Sequence, residues 1–347
     1  MIPIRKEGII LQKTSLGFEN EGVLNPAVIS DPTGIHMFYR AVSKGNYSSI
    51  GYAKLSSPTK VEFRSQIPVL FPQFEYESQG VEDPRITKID NCYYMTYTAY
   101  DGINAMGALA TSKNLVDFEK MGIIVPQLTY NEFIHLACVQ EPLNEKYTRY
   151  NEHERITEKQ GKKVYIWDKN VIFFPRKINN KFYFLHRIRP DIQIASVIDL
   201  HELTPFFWQN YILTFRNSIL MEPKFEHEVS YIGGGCPPIE TPDGWLIIYH
   251  GVHDTVNGYV YCACAALLDL NNPEIEIGRL PYPLFKPEYV WELQGEVNNV
   301  CFPTGTVIED DQLYIYYGAA DEQIACASCS LSTLISELKI NGTKHEI

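Results

Sequence analysis

No stretch of this 347-residue chain stays apolar long enough to cross a bilayer, and the opening MIPIRKEGIILQKTSLG lacks the sustained apolar core of a secretory leader. A cytoplasmic protein is expected. Basic charge is scarce too: 30 Lys and Arg stand against 42 Asp and Glu, a formal charge of -12, with no compensating basic stripe. That balance argues against a nucleic-acid or membrane partner and for a small neutral or locally steered ligand. No HExxH and no Ser-His-Asp order is present, which removes the metalloprotease and serine-hydrolase readings. The run GGGCPP has no helix pattern after it, so tight backbone packing is expected there and not a phosphate-binding P-loop. Of the eight cysteines, Cys92, Cys262, Cys264 and Cys301 lie in apolar strand-like runs, where thiols act as small hydrophobes. Cys326 and Cys329 form a CxxC without a second pair or a βαβ context. Free thiols are expected, with no metal and no cofactor.

What the chain does have is a repeated phrase: an apolar strand opening near proline, a polar turn, an aromatic strand, then a third apolar run. Its copies are NPAVISDPTGIHMFYRAV, EDPRITKIDNCYYMTYTAYDG, FFPRKINNKFYFLHRI, CPPIETPDGWLIIYHGV and CFPTGTVIEDDQLYIYYGAAD. The turns DPTG, IDN, INN, TPDG and EDD carry the Asp, Asn and Gly that hairpins require. With 45% hydrophobic residues a large core is within reach, and most of the chain has no helix-period pattern. The expectation is an all-β fold, a five-bladed β-propeller with loop or helical insertions, occupying residues 1–347 as a single domain. A pair of β-sandwiches is the runner-up and leaves the five matched phrases unexplained. A charged insertion at 139–164 belongs at the surface. An aromatic one around Phe206, Phe207 and Trp208 covers one face or joins a neighbouring subunit, making a homo-oligomer a hypothesis.

In a propeller the innermost strands converge on one axis, which would gather Asn25, Asp83, Arg85, Lys169 and Asn170 at strand starts with Arg40, His250 and Asp321 at strand ends. Carboxylates, cations and amides among Tyr and Trp rings suit a small hydroxylated ligand such as a sugar.

The phrases GVEDPRI, TYTAYDG, ALATSKNLVDFEK, IGGGCPPIETPDGWLIIYHGV, AALLDLNNP and YYGAADEQIA together resemble glycoside hydrolase family 130 over nearly the whole chain. The resemblance implies inverting cleavage of β-mannosides, mostly by phosphorolysis to α-mannose 1-phosphate and in some branches by hydrolysis. It implies that Asp83 is the catalytic acid and that Asn25, Arg40 and Asp321 hold the mannosyl unit; Glu82, Arg85 and Asp101 join them on the substrate side. Phosphate would meet Lys169, Asn170, His250 and Tyr261. Tyr231 stands where a lysine is usual in the family's phosphorylases, and Lys169 where arginine is common. No cofactor is implied, only inorganic phosphate as co-substrate of a phosphorylase, with a mannoside as the small-molecule partner.

A phosphorylase brings its own anionic nucleophile, whereas an inverting hydrolase needs a second carboxylate about 6.5–9.5 Å from the acid. Glu226, Glu228 and Glu240 flank the SYIGGG turn, and Glu228 is the expected base under that alternative. A non-catalytic sugar-binding propeller is the third reading.

Overall fold

The structure, a computed structural model, describes residues 2–156 and 163–341, with backbone alone for 153–156. Residues 157–162 of the charged insertion lie outside the described residues.

The alternating apolar phrases form antiparallel modules. The first contains strands Gly22–Asp31, Gly34–Ser43, Tyr47–Ser57 and Lys60–Arg64. The second contains Gly80–Ile89, Cys92–Tyr100, Ala105–Ser112 and Glu119–Ile123, and meets the first through the parallel pair Ser48 and Gly80. The third is Lys169–Phe173, Phe182–Arg187, Ile192–Val197 and Ile219–Met221. Strands Tyr231–Gly234, Gly244–Thr255, Gly258–Leu268 and Glu276–Arg279 build the fourth. The fifth joins Cys301–Glu309, Gln312–Ala319 and Gln323–Ser330 to the chain's first strand, Arg5–Leu11. The hairpin turns use left-handed residues where the sequence supplies them: Asp90 at φ 53°, Asn179 at 51°, Asn180 at 62° and Asp310 at 53°. Asn, Asp and Gly are the residues that tolerate this region.

Five of the six apolar clusters of the described residues are each shared by two successive modules. Phe38 and Ile50 pack with Val81 and Met95, Leu109 with Val171 and Phe184, and Leu185 with Trp245. Leu246 and Ala263 pack with Ile315, and Tyr316 and Ile324 return to Met37 and Ala53 of the first module. The order of contacts is therefore cyclic.

A second repeat is polar. In four modules a buried glutamate takes the hydroxyl of a strand tyrosine and pairs with a cation from the module's outermost strand. The sets are Glu19 with Tyr39 and Arg64, Glu77 with Tyr97 and Lys120, Glu228 with Tyr249 and Arg279, and Glu292 with Tyr317 and Lys6. Such pairs have every charge answered, which is what makes a buried ion tolerable.

The two insertions meet. Helices Tyr130–Ala137, Glu145–Ile156 and Pro205–Leu213 share a cluster containing Phe133, Tyr147, Ile212 and Phe215. Trp208 is buried within the molecule while Phe206 is 73% exposed, so Trp208 is not available to the self-association surface expected there. All eight cysteines are free. Among the described residues no helix is long and apolar enough to cross a membrane.

Candidate active site

The leading strands of the first three modules, those that open at Gly22, Gly80 and Lys169, are interrupted at the same place. Pairing slips between Leu24 and Ala27, between Glu82 and Arg85, and between Lys169 and Ile172. Within each bulge sits a left-handed, non-glycine residue: Asn25 at φ 48°, Asp83 at 48° and Asn170 at 54°. A bulge re-aims its side chain, and such strain in three matched positions marks a site.

The re-aimed groups converge. Asn25 donates its amide to Asp83 at 2.7 Å. Arg40 donates to Glu82 at 2.8 Å and to Ser48 at 2.9 Å, and lies 3.5 Å from Asp83. Arg85 donates to the carbonyl oxygens of Gly235, Asp83 and Pro84, the last two at 3.0 and 3.1 Å, so it braces the backbone that carries Asp83. Burial favours the neutral acid at Asp83, yet Arg40, Asn25, Arg85 and Lys169 together hold its carboxyl below the ordinary range. Asp321, left-handed at φ 51°, goes the other way: burial, joined by Asp83 and Glu82, lifts it to about 6 against the pull of Arg40.

Beside these carboxylates lies a group of cations. Lys169 lies over the Trp167 ring at 4.6 Å; burial, with Arg187 and Arg189, draws its ammonium down to about 8 although Glu82 and Asp83 oppose this. Burial and Arg189 bring the Arg187 guanidinium down to about 10. Arg187 and Arg189 sit over the Tyr231 ring at 5.6 and 4.7 Å, and the Tyr231 and Tyr261 hydroxyls bond to each other. His250 packs against the Phe302 ring at 4.4 Å with the planes tilted by 36°, and burial beside Arg187, Arg85 and Arg189 holds it neutral. Gly233 is required there, because a Cβ would come within 2.5 Å of the His250 ring. The glycine run thus serves close packing.

Among the described residues, six buried polar atoms around this cleft lack a protein partner: Asn25 Oδ1, Arg85 Nη2, Asn170 Oδ1, Arg187 Nε and both ring nitrogens of His250. Buried polar atoms are otherwise nearly always satisfied, so this concentration points to a polar, partly anionic ligand.

Two expected residues are not part of the cluster. Glu228 is a correction: its oxygens take the N–H groups of Lys224 and Phe225, the Tyr249 hydroxyl and the Arg279 guanidinium, which makes it the fourth module's structural glutamate. Asp101 closes a turn, accepting from the N–H groups of Ile103 and Asn104 and from the Asn104 amide. Glu240 pairs with Arg176 at the surface, and Glu226 is exposed. Arg187 and Arg189 had not been singled out. Arg187 follows the aromatic strand of its phrase as Arg40 and His250 follow theirs, and that register was the available signal. His227, Glu228 and Cys264 bring donor atoms within 4.8 Å of one another. Arg279 already occupies the glutamate and burial keeps the Cys264 thiol protonated, so the set does not suit a cation.

A sheet-built protein whose modules gather carboxylates, cations and amides on one cleft is of the class that handles small, polar, anion-bearing ligands. The chain belongs to glycoside hydrolase family 130: the family model, described as β-1,4-mannooligosaccharide phosphorylase, matches residues 11–339. It is 34% identical to a 1,2-β-oligomannan phosphorylase of Thermoanaerobacter sp., covering 92% of this chain and 93% of the relative. To a β-1,2-mannobiose phosphorylase of the same organism it is 36% identical, covering 89% and 90%. The fold is similar to that of the β-1,2-mannobiose phosphorylase of Listeria innocua in complex with β-1,2-mannobiose, with a TM-score of 0.73 at 24% identity over 98% of this chain and all of that one.

Proposed function

We propose that this chain is an inverting β-mannoside phosphorylase, with its five modules arranged as the blades of one propeller spanning residues 1–347. The cyclic order of core contacts supports the propeller. The observation that carries the activity is the cluster of unpartnered polar atoms facing Asp83 across a wall of Lys169, Arg187 and Arg189, in a chain whose high-coverage relatives are named phosphorylases. Asn25, Arg40 and Asp321 hold the mannosyl hydroxyls; Asp321, at about 6, can donate or accept near neutral pH.

Phosphate binds on the cationic side, contacted by Lys169, Asn170, Arg187, His250 and Tyr261. Its oxygen forms the bond to the anomeric carbon as the glycosidic C–O bond breaks, and the leaving oxygen takes a proton. The balance closes because hydrogen phosphate gives up one proton on becoming the ester. Asp83 rests as a carboxylate, and the arriving anion offsets the cations that keep it so, raising its proton affinity at the moment of reaction. Asp83 then passes the proton on, directly or through a sugar hydroxyl.

Tyr231 in place of a lysine favours the hydrolase alternative, but Arg187 and Arg189 lie against that tyrosine and restore positive charge. Incubation with β-1,2- and β-1,4-mannobiose, with and without inorganic phosphate, decides between them. Mannose 1-phosphate formed only with phosphate is the expected result; free mannose at equal rates in both buffers would establish hydrolysis.

The pH dependence is equally specific. Lys169 loses its charge as pH rises through about 8, so the KM for phosphate is expected to climb above that pH. Lys169→Arg should flatten the climb between pH 7 and 9, because arginine stays protonated there. Initial rates against phosphate concentration across this range provide the check.

A further inference from the structure

The third module departs from the glutamate, tyrosine and cation pattern. At the position of Tyr39, Tyr97, Tyr249 and Tyr317 it has His186, which precedes Arg187 as Tyr39 precedes Arg40 and Tyr249 precedes His250. Asp168 and His186 are both fully buried. Asp168 lies 2.8 Å from His186 Nδ1 and also accepts from the backbone N–H of Arg187 at 3.2 Å. On the other side, His186 Nε2 is 2.7 Å from the Tyr211 hydroxyl, which itself donates to the carbonyl oxygen of Ile194 at 2.9 Å.

A carbonyl oxygen only accepts, so where the Tyr211 hydroxyl proton is directed to Ile194 the Tyr211 oxygen is left to accept from His186. Burial drives that phenol well above its usual range, and the proton stays on it. In that arrangement the Tyr211 oxygen accepts from His186 Nε2 on one side and the Asp168 carboxylate accepts from Nδ1 on the other. Both ring nitrogens donate, which only the imidazolium can do.

We propose that His186 is a fixed imidazolium and a positioning residue, which with Asp168 and Tyr211 holds Lys169 and Arg187 in place for the anionic co-substrate. Lys169 follows Asp168, Arg187 follows His186, and the two cations are register partners across the strand pair. The other modules support the charge assignment independently. Each buries one carboxylate, one cation and one phenol, and Asp168, His186 and Tyr211 make the same set with the roles moved between positions. A neutral ring at 186 would leave Asp168 as a buried, uncompensated anion bonded to the backbone of Arg187, where it would compete with the ligand for the guanidinium.

The assignment to Lys169 and Arg187 rests on the phosphorylase reading, whereas the charge on His186 does not. Two measurements therefore separate them. Nitrogen NMR shifts of the full chain at pH 7 should show hydrogen on both ring nitrogens of His186; a neutral tautomer would overturn the proposal. His186→Gln should raise the KM for phosphate about tenfold with a much smaller change in kcat at saturating phosphate. The double variant Asp168→Asn, His186→Gln removes both charges and should bring that KM back to within about threefold of the parent chain. An unchanged KM in the single variant, or a double variant no better than the single, would refute the positioning role. A parent chain indifferent to phosphate would instead defeat the phosphorylase reading, and the nitrogen shifts alone would then decide the charge on His186.

Discussion

Asp83→Asn is expected to lower turnover of β-mannobiose in phosphate by about a thousandfold, the scale of a lost general acid. The substitution is chosen so that little else changes. Asparagine tolerates the left-handed backbone at φ 48°, and its carbonyl oxygen can still accept the Asn25 amide that bonds Asp83 at 2.7 Å. Arg85 bonds the backbone of residues 83 and 84, not the carboxylate, so the bulge keeps its brace. Melting temperature and mannoside affinity should therefore stay near those of the parent chain while kcat collapses. Turnover within tenfold of the parent would remove Asp83 from the proton path and leave Asp321, the cleft carboxyl lifted to about 6, as the acid to examine.

The second large effect is on stability. Glu228→Ala would leave the Tyr249 hydroxyl and two backbone N–H groups of the fourth module without their acceptor, and would leave Arg279 to Glu276 and the Glu222 carbonyl oxygen. Each buried donor left without an acceptor costs about 1–3 kcal/mol. A large shift of the urea midpoint is expected, with kcat of the folded fraction within about threefold of the parent value. A variant of full stability that had lost activity in phosphate-free buffer would return Glu228 to the role of a hydrolytic base. The corresponding glutamates 77 and 292 sit in the same arrangement, each accepting from two backbone N–H groups just ahead of it, which is why a structural role is expected.

Much of the architecture was legible in the chain because its signals are local. A hairpin is specified by strand alternation and by a turn residue that accepts positive φ, and Asp90, Asn179, Asn180 and Asp310 are such residues at such places. The candidate site was half legible for the same reason: Asn25, Asp83 and Asn170 occupy matched points of a repeated phrase. Arg187 was overlooked because its phrase, FLHRI, carries histidine where the others carry tyrosine, and the matching register was hidden by that exchange. Glu228 was misjudged because proximity in sequence to the glycine turn says nothing about direction. Its side chain leaves the turn toward Arg279, a residue 51 positions away.

By itself the sequence determined the antiparallel modules, the turns that join them, the free thiols and the family, since each depends on short-range pattern or on residues taken as a set. Only the tertiary structure decided which charges are spent and which remain. Glu77, Glu228 and Glu292 are buried carboxylates answered by cations and hydroxyls from other strands, while Arg187, Asn170 and His250 are left with unanswered atoms in the cleft. That sorting is a property of pairs separated by tens to hundreds of residues, and no local pattern encodes it.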